Sequence, residues 1–371
     1  MNNFLQKIKN FSIFELRPEP ITISFNDSSL RFLITQKKTP LVLPEVYWRE
    51  ALPKNTVVNG EIKDAKIFVD CLKNGLNQLG IKNKKNIYAV VVLPENATFL
   101  KPLSFLKMSR EEINASLSTL VEQNIPLSKE ETETDWQFTD SEPNAQQTDI
   151  LIAAALKSNI EKLTDALKET SVTPVIFDIA PLSIVRALIN KAEKKPRLII
   201  HFNHDKTIFV LHDGQLIDSA ISSSNGIDFM QQKIVDELHP QPSLLVELMN
   251  KNGFSTKNPE EKKALENSLI EIIEQINKFK SYSHPSLDKS GAKKQCICQE
   301  IILSGYLATV PGIDSYISSK TNLPVVIGNP WQQNGELDVI PKMNLAESLQ
   351  FCATIGGAIY AREWFLKPIF E

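Results

Sequence analysis

ITISFNDSSLRFLI, residues 21–34, returns 177 positions later (198 minus 21) as LIIHFNHDKTIFVL, residues 198–211. The two align without gaps: Phe25-Asn26 falls on Phe202-Asn203, and Phe32 on Phe209. Each reads as a short apolar strand, a tight polar turn and a second apolar strand. Each also stands near the start of one half of the chain, which predicts a duplication: two related lobes facing each other across a cleft.

Outward from these hairpins, β-rich runs alternate with amphipathic helices, the pattern of an α/β protein. TPLVLPEVYWREAL adds a third strand in the first half. Asp64 to Leu79 predicts a helix with Ile67, Phe68, Cys71, Leu72, Leu76 and Leu79 on one face and Gly80 at its C-terminal cap. NIYAVVVLP reads as a buried strand. Ser109 and Glu112 form a capping box opening a helix to about Gln123, and Pro126 stops it. TDWQFT, DILIAAAL and PVIFDI read as strands, 159–170 and 181–191 as helices, and DSEPNAQQTD as a polar hairpin tip. KAEKKP is the candidate hinge.

In the second half, RLIIHFNHDKTIFVLHDGQLIDSAI predicts three strands with an Asp213-Gly214 turn. Helices follow from Ile227 to about Lys280, then the loop SHPSLDKSGAKKQ. CICQEIILSG and LPVVIG read as strands, and GIDSYISSK and ESLQFCATIGGAIYAREW as helices. These elements predict a first lobe over 1–195 with a small inserted unit at about 105–178. The second lobe spans 196–371 with a mostly helical insertion at about 227–297.

A length of 371 residues suits two lobes better than one core. Hydrophobic residues at 42% and charged ones at 23% are ordinary for a globular protein. A net charge of −3 lacks the basic excess that would neutralise phosphates, so no nucleic-acid partner is expected. Cys71, Cys296, Cys298 and Cys352 are too scattered for a disulfide framework and read as reduced thiols. Cys296 and Cys298 are expected on alternating faces of a strand rather than on a metal. No apolar run approaches the roughly 20 residues that span a bilayer. The first segment, with Phe4, Leu5, Ile8 and Phe11 broken by Lys7 and Lys9, is not a signal peptide and reads as a frayed leader, its apolar face being short for the alternative, an amphipathic helix touching a membrane. The last residues, WFLKPIFE, are interrupted at Pro368 and are expected to pack on the body rather than serve as the alternative, a membrane-seeking aromatic tail.

Several phrases in order resemble the PilM family of type IV pilus assembly proteins, actin-like and related to the division protein FtsA. They are LPKNTVVNGEIKD; LGIKNKKNIYAVVVLP; LKMSREEINASLSTLVEQNIPLSKEE with DWQF; ILIAAALKSNIEKLTDALKETSVTPVIFDIAPLSIVRAL; IILSGYLATVPGIDSYISSKTNLPVVIGNPW; and ATIGGAIYARE. The resemblance implies a duplicated, ribonuclease-H-like two-lobe fold with inserted subdomains. It implies a place at the cytoplasmic face of the inner membrane and a PilN-like membrane protein as partner. The partner's N-terminal tail would lie beside the inserted subdomain, in a groove built from Leu117, Leu120, Val121, Ile125, Pro126 and Leu127, near strands at Trp136 and Ile150.

The resemblance also implies ATP and Mg²⁺ between the hairpins, held by Asp-x-Gly turns. Here those turns read Ser24-Phe25-Asn26 and His201-Phe202-Asn203. The adenosine motif, Ser-Gly-Gly in the family, is Ser304-Gly305-Tyr306, and Lys278-Phe279 stand where Arg-Ser is usual. Asn tolerates left-handed angles, which would let Asn26 and Asn203 keep the turns. Asp27 and Asp205 would hold a metal from shifted positions, and Ser28, Ser29, Lys206 and Thr207 would donate to phosphate. Concerted losses in three motifs nonetheless predict a degenerate site without tight ATP or Mg²⁺ binding and without catalytic residues, hence a scaffold rather than an ATPase. An ATP-binding switch of the same fold is the alternative, and a sugar-kinase-type enzyme a weaker one. His201-x-x-His204 lacks the partners zinc needs, and no metal is expected there.

Overall fold

The computed structural model describes residues 19–36, 42–81, 86–139, 147–190, 192–280, 297–332 and 341–366. The hairpin tip at 140–146, the whole loop at 283–295 and Cys296 lie outside them.

The first hairpin is β1 (Ile21–Phe25) and β2 (Ser29–Thr35), followed by β3 (Pro44–Ala51). After a small ribbon, β4 (Val57–Val58) and β5 (Glu61–Ile62), comes helix α1 (Ala65–Gln78). Asp64 caps it by accepting from the Ile67 amide, and Gly80 ends it at φ +74°. Strand β6 (Ile87–Leu93) lies beside β1.

The next strand, β7 (Thr98–Leu106), is not expected from the sequence, because Pro102 lowers its strand character. It is an edge strand, where the missing amide costs little: a three-stranded antiparallel sheet runs β7–β9–β8, with β8 (Thr132–Phe138) and β9 (Gln147–Leu156). Helix α2 (Arg110–Asn124) covers it, opened by the capping box of Ser109 and Glu112. Ile113, Val121, Ile125, Trp136, Ile150 and Ile152 form this unit's core. Helix α3 (Lys157–Glu169) and strand β10 (Val172–Ile179) return to the first sheet, and α4 (Ala180–Leu188) leads out of it, shorter than expected.

The second half brings β11 (Arg197–Phe202), β12 (Thr207–His212) and β13 (Ile217–Ser223). Helices α5 (Ile227–Leu238), α6 (Pro242–Glu247), α7 (Pro259–Ser268) and α8 (Ile270–Lys280) follow. Strand β14 (Glu300–Gly305), helix α9 (Ile313–Thr321) and strand β15 (Val325–Ile327) complete the sheet. Because β14 starts only at Glu300, Cys298 lies before the strand instead of within it, buried against the sheet. The single helix expected at the end is two, α10 (Leu345–Gln350) and α11 (Cys352–Leu366), broken at Phe351.

The main sheets have one topology. The first runs β3–β2–β1–β6–β10 and the second β13–β12–β11–β14–β15. In each, the three hairpin strands are antiparallel and the two crossover strands parallel. Helices α4 and α11 cross between them. Gly356 lets the backbones meet there, since a Cβ at that position would lie 1.8 Å from the Ser183 carbonyl oxygen. Buried Asp178 ties the crossing together: it accepts from Ser183 Oγ (2.5 Å) and Arg186 Nη1 (2.6 Å), and Arg186 also donates to the Gly356 carbonyl (3.0 Å).

Candidate functional site

The turns of the two equivalent hairpins face each other. In each, the asparagine amide closes the turn: Asn26 N donates to Ser29 O (3.0 Å) and Asn203 N to Lys206 O (2.8 Å). Neither asparagine has positive φ, in contrast to the left-handed turn expected from the sequence. The first turn is held instead by the side chain, since Asn26 Oδ1 accepts from the amides of Ser28 (3.0 Å) and Ser29 (2.9 Å). Its Nδ2 then crosses the gap and donates to Asn203 Oδ1 at 3.1 Å. The two residues paired by the sequence repeat are thus paired physically.

A second link runs beside this one. The Asp27 carboxylate accepts from the amides of Asn59 and Gly60, both at 2.8 Å. Gly60 is at φ +75° with Asn96 and Ala97 crowded against it, so this cradle requires glycine. Lys206 reaches over from the other hairpin, 3.4 Å from Asp27 Oδ2 and 3.0 Å from Asn59 Oδ1. Its ammonium lies where two acidic loops would otherwise repel.

The remaining sequence-selected groups are mostly engaged within the chain. Ser28 and Ser29 bond Asn26, and Thr207 Oγ1 donates to Asn225 O (2.6 Å). Ser304 is buried, 3.0 Å from both His201 Nδ1 and Cys352 Sγ. Burial drives His201 down to about 3 and Cys352 up to about 12, so both are neutral. Gly305, at φ +82°, brings the chain against Phe202, where Tyr306 N donates to Phe202 O (2.9 Å). Lys278 is exposed on α8, away from the groups lining the gap. The first amides of α5 are also spent: Ile227 N donates to Asn203 O (2.9 Å) and Asp228 N to His204 O (3.0 Å).

Tyr306 extends between the halves. His204 packs edge-on to its ring, with centroids 4.3 Å apart, and Arg31 and Arg49 lie 6.0 and 5.5 Å from its centroid. His204 is oriented by Asp228 at 2.9 Å. Arg31 is nearly fully buried, its guanidinium value lowered by burial and pulled back up by Tyr306.

Asn26, Asp27, Asn203, Asp205 and Lys206 line the space that remains, together with Arg31, Glu95 and Asn96, which sequence reasoning missed. It measures about 40 Å³. One water needs roughly 10–15 Å³, so the space has room for a small water cluster. Arg31 Nε, Glu95 Oε2, Asn96 Nδ2 and Asp205 Oδ1 are buried without a protein partner, the polar edge such waters need. Burial raises the carboxyls of Glu95 and Asp205, and the charge of Asp27 raises Asp205 further. One signal for Arg31 was available: it is the lone charge in an apolar strand, and its repeat partner is Ile208. Glu95 and Asn96 carry no such mark.

On the small sheet, Val121 and Ile125 are buried in that unit's own core, Leu117, Leu120 and Leu127 are half-buried against it, and Pro126 is exposed. No group of three or more metal-ligating side chains occurs among the described residues. No helix among them is long and apolar enough to cross a membrane.

Two α/β lobes of one topology, joined by crossing helices and facing each other through their β1–β2 and β11–β12 turns, define an actin-like protein. The family model described as type IV pilus assembly protein PilM matches residues 23–361, and the chain belongs to that family. Among solved structures, a PilM–PilN type IV pilus biogenesis complex matches with TM-score 0.73 at 16% identity, over 95% of this chain and 100% of that one. The ethanolamine utilization protein EutJ of Carboxydothermus hydrogenoformans matches at 0.53 and 10% identity, over 93% and 90%. MreB5 of Spiroplasma citri bound to AMPPNP matches at 0.54 and 13% identity, over 93% and 96%.

Proposed function

We propose that this protein is a scaffold of a type IV pilus-like assembly machine that keeps its two lobes closed without nucleotide. The carrying observation is the pair of links across the cleft, Asn26 to Asn203 and Lys206 to Asp27. Four groups that a phosphate and its metal would engage, Asn26, Asn203, Asp27 and Lys206, are spent on each other, and Tyr306 extends into the gap with Arg31, Arg49 and His204 about it. The lobes in this reading are 1–195 and 196–371, and the small sheet unit is the part inserted in the first.

The partner in this reading is the N-terminal tail of a PilN-like inner-membrane protein, which would hold the chain at the inner face of the cytoplasmic membrane. Family membership and the fold shared with the PilM–PilN complex support it. The half-buried Leu117, Leu120 and Leu127 are the side chains such a tail would reach, while Val121 and Ile125 support them from beneath. The alternative, an ATP-binding switch, draws on the AMPPNP-bound MreB5 and on Asp27 and Asp205 standing close enough to interact.

Thermal unfolding with and without millimolar Mg-ATP separates the two. A ligand at 100 times its Kd adds about 2.7 kcal/mol and moves the midpoint by several degrees. The scaffold reading expects no shift with Mg-ATP and a clear one with the tail peptide of the membrane partner. A shift with Mg-ATP supports the switch.

A further inference from the structure

The loop that receives Lys206 is a two-residue turn. Asn59 and Gly60 join β4 to β5 at φ +52° and +75°, the left-handed pair that a tight hairpin requires and that Asn-Gly adopts readily. The turn's two amides donate to the Asp27 carboxylate, one to each oxygen, at 2.8 Å. The Asn59 side chain accepts from Lys206 Nζ (3.0 Å), which stands 3.4 Å from Asp27 Oδ2. One turn therefore holds an acid by its backbone and the opposing ammonium by its side chain. Lys206 is fixed at its own end too. Its carbonyl accepts from Asn203 N, and a Cβ on Gly226 would lie 2.5 Å from its amide nitrogen. The ammonium bridges two places set by backbone, on a side chain only 18% exposed.

Two more carboxyls, Glu95 and Asp205, face the same space. Burial raises both, and the charge of Lys206 pulls both back. The other cation lining it, Arg31, is directed at the Tyr306 hydroxyl, 3.4 Å away. Of the two cations, Lys206 alone acts on all three acids. These residues do not fit the divalent metal that the family resemblance implies. Mg²⁺ holds oxygens at roughly 2.0–2.1 Å in an octahedron. Here each Asp27 oxygen already accepts an amide, and the other oxygen at the cation is the neutral Asn59 Oδ1. No group of three metal-ligating side chains converges among the described residues. Two oxygens at 3.0 and 3.4 Å are instead the spacing of an ammonium. The pair also has no counterpart across the duplication, since Asp27 falls on His204 and Lys206 on Ser29.

We propose that Lys206 is a built-in cation: the cleft selects a primary ammonium over a divalent metal, and the chain supplies that ammonium itself. Because the cation is tethered, closure responds neither to Mg²⁺ nor to chelators. Truncating the lysine stem leaves a place shaped for an alkylammonium ion, whose N–H donors reach the two oxygens that Lys206 uses and whose short stem fills the space of the lost methylenes. The proposal rests on the closed, nucleotide-free reading above and adds the chemical class of cation that the cleft accepts.

Urea unfolding of the full chain tests it. Lys206→Ala should move the folding equilibrium about tenfold toward the unfolded chain. Propylammonium, which replaces the atoms removed, should recover most of that loss at tens of millimolar. Tetramethylammonium at the same concentration has no N–H donor and should recover none, and neither should magnesium chloride at matched ionic strength. The parent should respond to none of the three. Asn59→Gly keeps the left-handed turn and removes one of the two oxygens, so added to Lys206→Ala it should abolish the propylammonium effect. Lys206→Met, which keeps the stem, covers the case in which Lys206→Ala does not fold: it should lose stability and gain nothing from Mg²⁺. The proposal is overturned if Mg²⁺ restores either lysine variant, which would mark a metal site. It is also overturned if propylammonium restores Lys206→Ala no better than tetramethylammonium, or if loss of the amine changes nothing. Mg²⁺ without nucleotide decides this proposal, whereas Mg-ATP on the parent decides the scaffold reading.

Discussion

Lys206 and Asp27 show how one ion pair ties the two sides of a cleft together. The ion pair is partly buried and closes through Asn59, so it is worth more than an exposed pair yet less than a fully desolvated one. Lys206→Met should cost about 1–2 kcal/mol in chemical denaturation and loosen the cleft to proteolysis. A loss below about 0.3 kcal/mol would show that the lobes do not depend on it. His201 sets a pH dependence. Its folded value near 3 lies below the ordinary imidazole value of 6.5, so between those limits the unfolded chain binds the extra proton and stability falls as pH drops. His212, lowered to about 4 by burial, acts in the same direction. Glu95 and Asp205 oppose them, because raised carboxyls take up protons first in the folded state. His201→Asn should therefore flatten the loss of stability between about pH 6 and 4, read as a slope from denaturation at each pH.

At the scale of elements, the crossing of α4 and α11 is the tightest joint. Gly356→Ala would drive a methyl into the Ser183 carbonyl and pull on the Asp178–Arg186 pair, for an expected loss of about 3 kcal/mol or more. A variant as stable as the parent in a urea titration would mean the helices can separate. The elements also show where periodicity suffices. The helix caps at Asp64, Ser109 and Gly80 are local chemistry, and the sequence marks them. Strand β7 is hidden by Pro102, whose cost disappears only at a sheet edge, and edge position is not a local property. The break at Phe351 between α10 and α11 is hidden as well, because no glycine or proline marks it.

At the scale of the whole molecule, the repeat of residues 21–34 at 198–211 predicts two lobes, and the common strand order of the two sheets carries that duplication into three dimensions. Closure without ligand should be visible in solution: X-ray scattering should give the same radius of gyration with and without Mg-ATP, and a larger one for Lys206→Met combined with Asn26→Ala. Equal curves for parent and variant would place the closing force elsewhere. What the sequence by itself determined is local or repeated: the strand-turn-strand units, the caps and the family phrases. Only the tertiary structure decided that Asn26 meets its own repeat partner, that Lys206 serves Asp27, and that Arg31 lies buried beside Tyr306. Each is a contact between residues over a hundred positions apart. Side-chain type limits which partners such residues will accept, but only the packing of the lobes brings one within reach.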